Sequence, residues 1–323
     1  MACSAQSDRR PSGHDQAPPI QRRHFVAHRR EVDGVIQTLE EHLRSVGCLA
    51  ASNAAKFNLA SSGEALGLLH DLGKYSKEFQ DYIASATGLI DQDADDFVDA
   101  NRLRGKIDHS TAGAQFIWKN FSTGGPRDRI AGQLLALCIA SHHSGLIDCL
   151  GPDGEDYFTR RIGKGEHNAH LIEAMAHVDP WIVARADELL HRCDVTDDIF
   201  RAIRMIVDFE SNAGGSTTTV AFKVGLLTRV LFSSLIDADR VDTADFELPR
   251  AGQLRFHGAY PAWDVLIFRL ETKLAMFKDS YPVDRLRREI SDHCLAAANR
   301  DRGCFTLTVP TGGGKTLARA FSR

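Results

Sequence analysis

Residues 68–83 read LLHDLGKYSKEFQDYI. Leu66, Leu69 and Gly73, with Phe79, Tyr82 and Ile83 beyond them, trace an amphipathic helical pattern. Its apolar side carries His70 and Asp71 back to back, with Lys74 one turn later. A carboxylate and an imidazole among leucines are costly to bury unless each has a partner. The rest of the chain must supply those partners.

Fourteen histidines are available. His14, His167, His170, His177, His191, His257 and His293 fall on polar faces or in loops and read as surface residues. His42, His70, His109 and the adjacent His142–His143 sit in or against apolar helices. A lone helical histidine is more often a hydrogen-bonded core residue than a ligand. Three local pairs are harder to dismiss: His70–Asp71, Asp108–His109 and His142–His143 each fall near a helix end. Imidazole nitrogens together with carboxylate oxygens suit divalent first-row transition metals. With no cysteine among these candidates, a closed structural zinc site is disfavoured. A further carboxylate is available from SSLIDADRVD, at Asp237 or Asp239. Asp239 follows Leu231 and Leu235 at four-residue steps and shares their inward stripe. Asp237 lies about 200° around the helix from Leu235 and faces away, so Asp239 is the candidate ligand.

Working outward, the periodicity from about residue 22 to 248 is mainly helical. VIQTLEEHLRSVGCLAASNAAKF places Leu39, Leu43, Val46 and Ala50 on one stripe, and STAGAQFIWKNF and IAGQLLALCIASHH read as two more buried helices. The segments 91–99, 151–166 and 211–219 read as loops. Strand-like alternation is scarce before residue 300, so this region is expected to be all-α. Residues 1–22 read as a flexible lead-in, 23–248 as the helical domain, and 249–323 as the start of something different. There, helices over about 263–278 and 283–299 lead into a short β-rich run and the glycine loop of TLTVPTGGGKT.

The 323 residues are 43% hydrophobic and 25% charged, the balance of a soluble globular protein. A net charge of −4 excludes a global attraction for nucleic acid or an anionic membrane, so a polyanion has to be held locally or through metal ions. Seven scattered cysteines, an odd total without C-x-x-C, are the usage of a reducing compartment. The N-terminus has no apolar core to serve as a signal peptide, and no apolar run approaches a membrane span. The expected location is the cytoplasm, without a membrane partner.

In their order, QTLEEHL, GLLHDLGKYSKEFQDYI, DHSTAGAQ, SHHSGL and DADRVDT resemble the HD nuclease domain of the CRISPR-associated nuclease–helicase of type I systems. The resemblance spans about residues 24–245. It implies an all-α HD-domain bundle with two metal ions, His42, His70, Asp71 and Asp239 holding one and Asp71, His109, His142 and His143 the other. Asp71 would be the bridging and catalytic carboxylate, with Lys74 supporting it. The ions would be Mn, Fe, Co or Ni, with Mg possible. The implied substrate is single-stranded DNA, and the implied partner the CRISPR RNA-guided surveillance complex. His28, four residues after His24, is given only a peripheral role. Arg102, Arg104 and Lys106, with Arg160, Arg161 and Lys164, are short basic groups that would either track a DNA backbone or be solvated surface.

The glycine loop resembles the Walker A element of superfamily 2 helicases. Thr311, Gly312, Gly313, Gly314, Lys315 and Thr316 would hold ATP and Mg²⁺ in a complete RecA-like α/β helicase domain. Only seven residues follow Thr316. The expectation is a helicase start cut short by truncation or gene splitting, which alone neither hydrolyses ATP efficiently nor translocates, with a separate helicase chain as one candidate partner. The last 20 or so residues are expected to be poorly ordered or atypically docked. Two rival readings are a nucleotide or cyclic-dinucleotide HD phosphohydrolase and an inactive binding module. The helicase-type loop opposes the first, and the complete ligand set opposes the second.

Overall fold

The computed structural model describes residues 25–87, 107–191, 195–255, 261–278, 280–301 and 305–318. Arg102, Arg104, Lys106, His14, His24, His257 and the acidic segment 91–99 lie outside the described residues. The chain forms two compact units, Met1–Gln253 and Leu254–Arg323.

Among its described residues the first unit is helical apart from a small antiparallel hairpin, β1 (Val26–Arg29) and β2 (Ile36–Thr38). The helical pattern of VIQTLEEHLRSVGCLAASNAAKF does not hold for its first residues. The chain is instead extended to Thr38, which then caps α1 (Leu39–Ala55). Thr38 Oγ1 accepts from the Glu41 amide at 3.2 Å while Glu41 Oε2 accepts from the Thr38 amide at 2.9 Å. This reciprocal cap sets the start of the helix. Leu39, Leu43, Val46 and Ala50 form its buried stripe, and His42 is buried among them.

The opening stretch is not one helix. It divides into α2 (Ala60–Leu69), a 3-10 turn (Leu72–Tyr75) and α3 (Lys77–Ala86). Asp71 leaves helical geometry at φ −108°, ψ 24°, and Ser76 restarts the helix by accepting from the Phe79 amide at 3.3 Å. The break turns His70 and Asp71 out of a continuous helix face and into one point. Helix α1 crosses α2 closely enough that a Cβ on Gly67 would lie 2.6 Å from the Gly47 Cα. Only glycine permits that approach, and it brings the rings of His42 and His70 to 5.2 Å between centroids.

Helices α4 (Thr111–Phe121) and α5 (Pro126–Ser141) follow, the latter entered through a proline at its first turn. The segment 151–166, expected as a loop, contains α6 (Tyr157–Ile162), capped by Asp156, and leads to α7 (Glu166–Ala169). His170 joins α7 to α8 (Leu171–His177) with a left-handed φ of 56°. Expected on the surface, it is buried, its ring between Glu78 at 3.0 Å and Glu173 at 3.5 Å. Then come α9 (Pro180–His191), α10 (Val195–Asn212) and α11 (Thr217–Glu247), with α12 (Pro249–Gly252) closing the unit.

Contrary to the sequence expectation, α11 is long and apolar enough, by length and composition, to cross a membrane. Here it packs against α1, α2, α5 and α10. Leu227, Leu231, Leu235 and Ala238 enter the shared core, and Asp239 and Asp242 extend that stripe.

The second unit holds α13 (Trp263–Ala275), α14 (Pro282–Ala298) and the short α15 (Lys315–Ala318). No strand forms among its described residues, although a short β-rich run is expected before the glycine loop. An isolated strand has no ladder partner and is not stable alone. Gly312 and Gly314 adopt left-handed φ angles of 84° and 80° in the glycine loop. Arg287 on α14 donates to the Gly312 carbonyl at 2.9 Å. Thr311, Gly312, Lys315 and Thr316 are exposed, Gly314 is half-buried and Gly313 is buried.

Candidate metal centre

Six side chains from five elements converge on Asp71. His42 comes from the first turn of α1, His70 from the C-cap of α2, His109 from the loop before α4, His142 and His143 from the end of α5, and Asp239 from the middle of α11. Helix ends suit this task, since the chain leaves the helix there and can aim a side chain at a point off the helix axis.

The two oxygens of Asp71 face different groups. Oδ2 stands 3.2 Å from His70 Nε2 and 3.5 Å from His42 Nε2. Oδ1 stands 3.2 Å from His142 Nε2, 3.7 Å from His109 Nε2 and 3.9 Å from His143 Nε2. Asp239 Oδ1 completes the first group, 3.5 Å from His42 Nε2 and 3.7 Å from His70 Nε2. His109 and His143 also bring their Nε2 atoms together. The donors therefore form two clusters, His42–His70–Asp239 and Asp71–His109–His142–His143, joined through Asp71.

A first-row cation about 2.0–2.2 Å from each donor places neighbouring donors about 3.0–3.5 Å apart. Most of the separations here are of that order and longer than a good hydrogen bond. His42 Nε2 and His70 Nε2 are fully buried and have no hydrogen-bond partner. A buried orphan nitrogen is costly, and here both orphans point at carboxylates across a space of cation size. The residues present thus fit divalent metal.

The electrostatics agree. Burial works against charge on His70, yet Asp71 and Asp239 outweigh it and raise its pKa to about 10. Two carboxylates converging on one imidazole create a strong demand for positive charge at that point. Burial would raise Asp71, but His70 and Lys74 hold it well below the usual carboxylate range. Burial pushes His109 down to about 3 and lowers His142, which leaves these rings neutral with lone pairs to offer. Lys74 is itself buried, its Nζ 2.7 Å from Asp71 Oδ2.

Three of the imidazoles are oriented by backbone close by in sequence. His70 Nδ1 meets the Gly67 carbonyl at 2.8 Å, His109 Nδ1 that of Ile107 at 3.0 Å, and His142 Nδ1 that of Ile139 at 2.8 Å. His42 differs, directing Nδ1 to Asp242 Oδ2 at 2.7 Å. Sequence reading missed Asp242. Its spacing of three residues from Asp239, on the same helix face, was the available signal.

Asp237 is exposed and takes a hydrogen bond from Asn53 at 3.1 Å. His28 lies edge-on to His42 with ring centroids 4.9 Å apart, and burial holds it neutral with a pKa lowered to about 3. The basic residues after His143 are engaged with carboxylates. Arg160 pairs with Glu155 at 2.6 Å, and Arg161 and Lys164 clamp Asp108 at 3.3 and 2.5 Å. Asp108 in turn accepts from Thr111 Oγ1 at 2.6 Å and from the Ser110 and Thr111 amides, which anchors the loop presenting His109. Access is from the His143 side. That side chain is 51% exposed, whereas His42 and His70 are sealed.

A family model described as "Cas3, HD domain" matches residues 12–208 of the chain. The match takes in every candidate ligand except Asp239. A search of curated proteins gives no match.

Proposed function

The chain belongs to the Cas3 HD domain family, which makes it a metal-dependent HD hydrolase of a CRISPR system, and from that premise we propose that it is a two-metal endonuclease acting on single-stranded DNA. The observation that carries this reading is the division of Asp71, whose two oxygens each face a separate set of donors.

His42, His70, Asp71 and Asp239 would hold one ion, and Asp71, His109, His142 and His143 the other. Divalent ions held there would supply Lewis acidity at the phosphate and a water of lowered pKa. The mixed imidazole and carboxylate donors favour Mn, Fe, Co or Ni and also admit Mg. Burial would raise Asp71, but His70 and Lys74 hold it well below the usual carboxylate range and so favour its ionised form. Lys74, with Nζ 2.7 Å from Asp71 Oδ2, orients that carboxylate and stands close to where an incoming phosphodiester would lie. His143, the most exposed candidate ligand, lies where a strand would enter. A single strand is the better fit than a duplex, because a flexible backbone can bend its phosphate into a centre sealed on the His42 side. The CRISPR RNA-guided surveillance complex would deliver that strand, drawn in by a helicase motor. Nucleotide binding by Thr311–Thr316 would matter only within such a motor.

Circular single-stranded DNA is the direct test, with Mn²⁺ or Ni²⁺, with EDTA, and beside Asp71→Ala. The expected result is metal-dependent cutting that the substitution abolishes. An intact circle alongside hydrolysis of nucleotides or cyclic dinucleotides would replace the nuclease reading with a small-molecule one. An intact circle with metal bound and no hydrolysis of any kind would favour a binding role.

A further inference from the structure

We propose that Asp242 is the positioning carboxylate of the metal centre, fixing the tautomer of His42 so that its Nε2 lone pair is available to a cation. This rests on the metal reading above and deepens it. A neutral imidazole carries one N–H, and only the ring nitrogen without it can bind a metal. Asp242 Oδ2 lies 2.7 Å from His42 Nδ1, which places the proton on Nδ1. The same oxygen accepts from Gln37 Nε2 at 2.9 Å, and the Ser45 side chain donates to the carboxylate as well. Asp242 is only 7% exposed, so these partners hold it in one place. On the far side of the ring, Nε2 is buried and has no hydrogen-bond partner, facing Asp71 Oδ2 and Asp239 Oδ1, each at 3.5 Å.

His70, His109 and His142 need no such help, because carbonyls two or three residues away in sequence set their rings. His42 sits in the first turn of α1, and its orienting group comes from α11, 200 positions later. Asp242 therefore does two things. It makes His42 a more basic ligand than a carbonyl partner would, and it makes that ligand conditional on the docking of α11, which also carries Asp239. At the His42–His70–Asp239 position the far side of one ring thus meets a buried carboxylate, whereas His109 and His142 meet backbone carbonyls.

Mn²⁺ titration of the full chain, with free ion read by electron paramagnetic resonance, tests this on Asp242→Ala and on the near-isosteric Asp242→Asn. Wild-type protein should bind two ions. Each variant should weaken one of them about 10- to 100-fold and leave the other within about threefold. Long-range ¹H–¹⁵N correlation of the metal-free proteins at alkaline pH gives a readout that lost packing alone would not move. His42 should carry its proton on Nδ1 in the wild type and shift toward Nε2–H in Asp242→Ala. Equal weakening of both ions, no weakening, or an unchanged tautomer would overturn the proposal. Wild-type protein that binds no Mn²⁺ would remove the metal reading and this inference with it.

Discussion

Replacing Gly73 by alanine probes how the opening motif and the loop before α4 are held together. A Cβ built on Gly73 lies 2.6 Å from both the Cα and the carbonyl oxygen of His109, and 2.8 Å from its carbonyl carbon. Comfortable carbon contacts are about 3.5 Å or more, so the two segments must part by nearly an ångström. All three obstructing atoms are backbone, which has no rotamer to swing aside. The Gly73 amide also donates to the His109 carbonyl at 3.1 Å, and that bond would stretch with the same movement. Overpacking costs about 1–3 kcal/mol and a weakened hydrogen bond about 1, offset by about 0.4–1 from the stiffer unfolded chain. The net loss is about 2 kcal/mol, a fall in melting temperature of about 4–8 °C for a unit of this size. His109 would withdraw from Asp71, so the ion it helps to hold should bind about tenfold more weakly or worse. Gly225 is the matched control. It is exposed within α11, and a Cβ there meets nothing within 4 Å. Gly225→Ala should raise stability by about 0.5–1 kcal/mol and leave metal affinity alone. Thermal melts and Mn²⁺ titrations of both variants decide the matter. A Gly73→Ala protein with wild-type melting temperature and both ions bound at wild-type affinity would refute the steric argument.

Asp239→Ala should abolish nuclease activity and weaken metal binding while Asp237→Ala leaves both nearly unchanged; equal losses in a cleavage assay would sink the assignment by helix face. Asp108 has its pKa lowered to about 2, where burial is outweighed by Lys164, Thr111 and Arg161. A depressed carboxylate contributes stability above its unfolded pKa and loses it as pH falls through the folded one. Asp108→Asn should therefore cost about 1–2 kcal/mol at neutral pH, and the gap to wild type in denaturation midpoints should close as pH falls from 5 toward 2. Saturating Mn²⁺ at about 100 times its Kd should stabilise the protein by about 2.7 kcal/mol per ion, seen as a rise in melting temperature that EDTA reverses and Asp71→Ala prevents. Lys315→Ala should leave cleavage of single-stranded circles unchanged in a gel assay, because the proposed cut needs no motor.

Periodicity along the chain was enough to read the helical character of most described residues between 39 and 247 and to pick out the residues that could meet at a site. Stripes such as Leu39, Leu43, Val46 and Ala50, or Leu227, Leu231 and Leu235, are periodic in the chain because burial on one face demands it. Polar residues that interrupt such stripes, His42, His70 and Asp239, are visible for the same reason. Local spacing also separated Asp239 from Asp237, since helical rotation is a local property. What it could not reach were departures from periodicity that depend on neighbours. The hairpin at Val26–Thr38, the break at Asp71 and the helix at Tyr157–Ile162 each follow from capping or from packing against distant segments. The pairing of His42 with Asp242 joins positions 200 residues apart, and no spacing rule spans that distance. The same holds for Lys164 and Arg161 on Asp108, basic residues that read alone as free surface charge. Which oxygen of Asp71 faces which histidines was decided only when α1, α2, α5 and α11 packed together, because a carboxylate takes its orientation from the charges and donors around it.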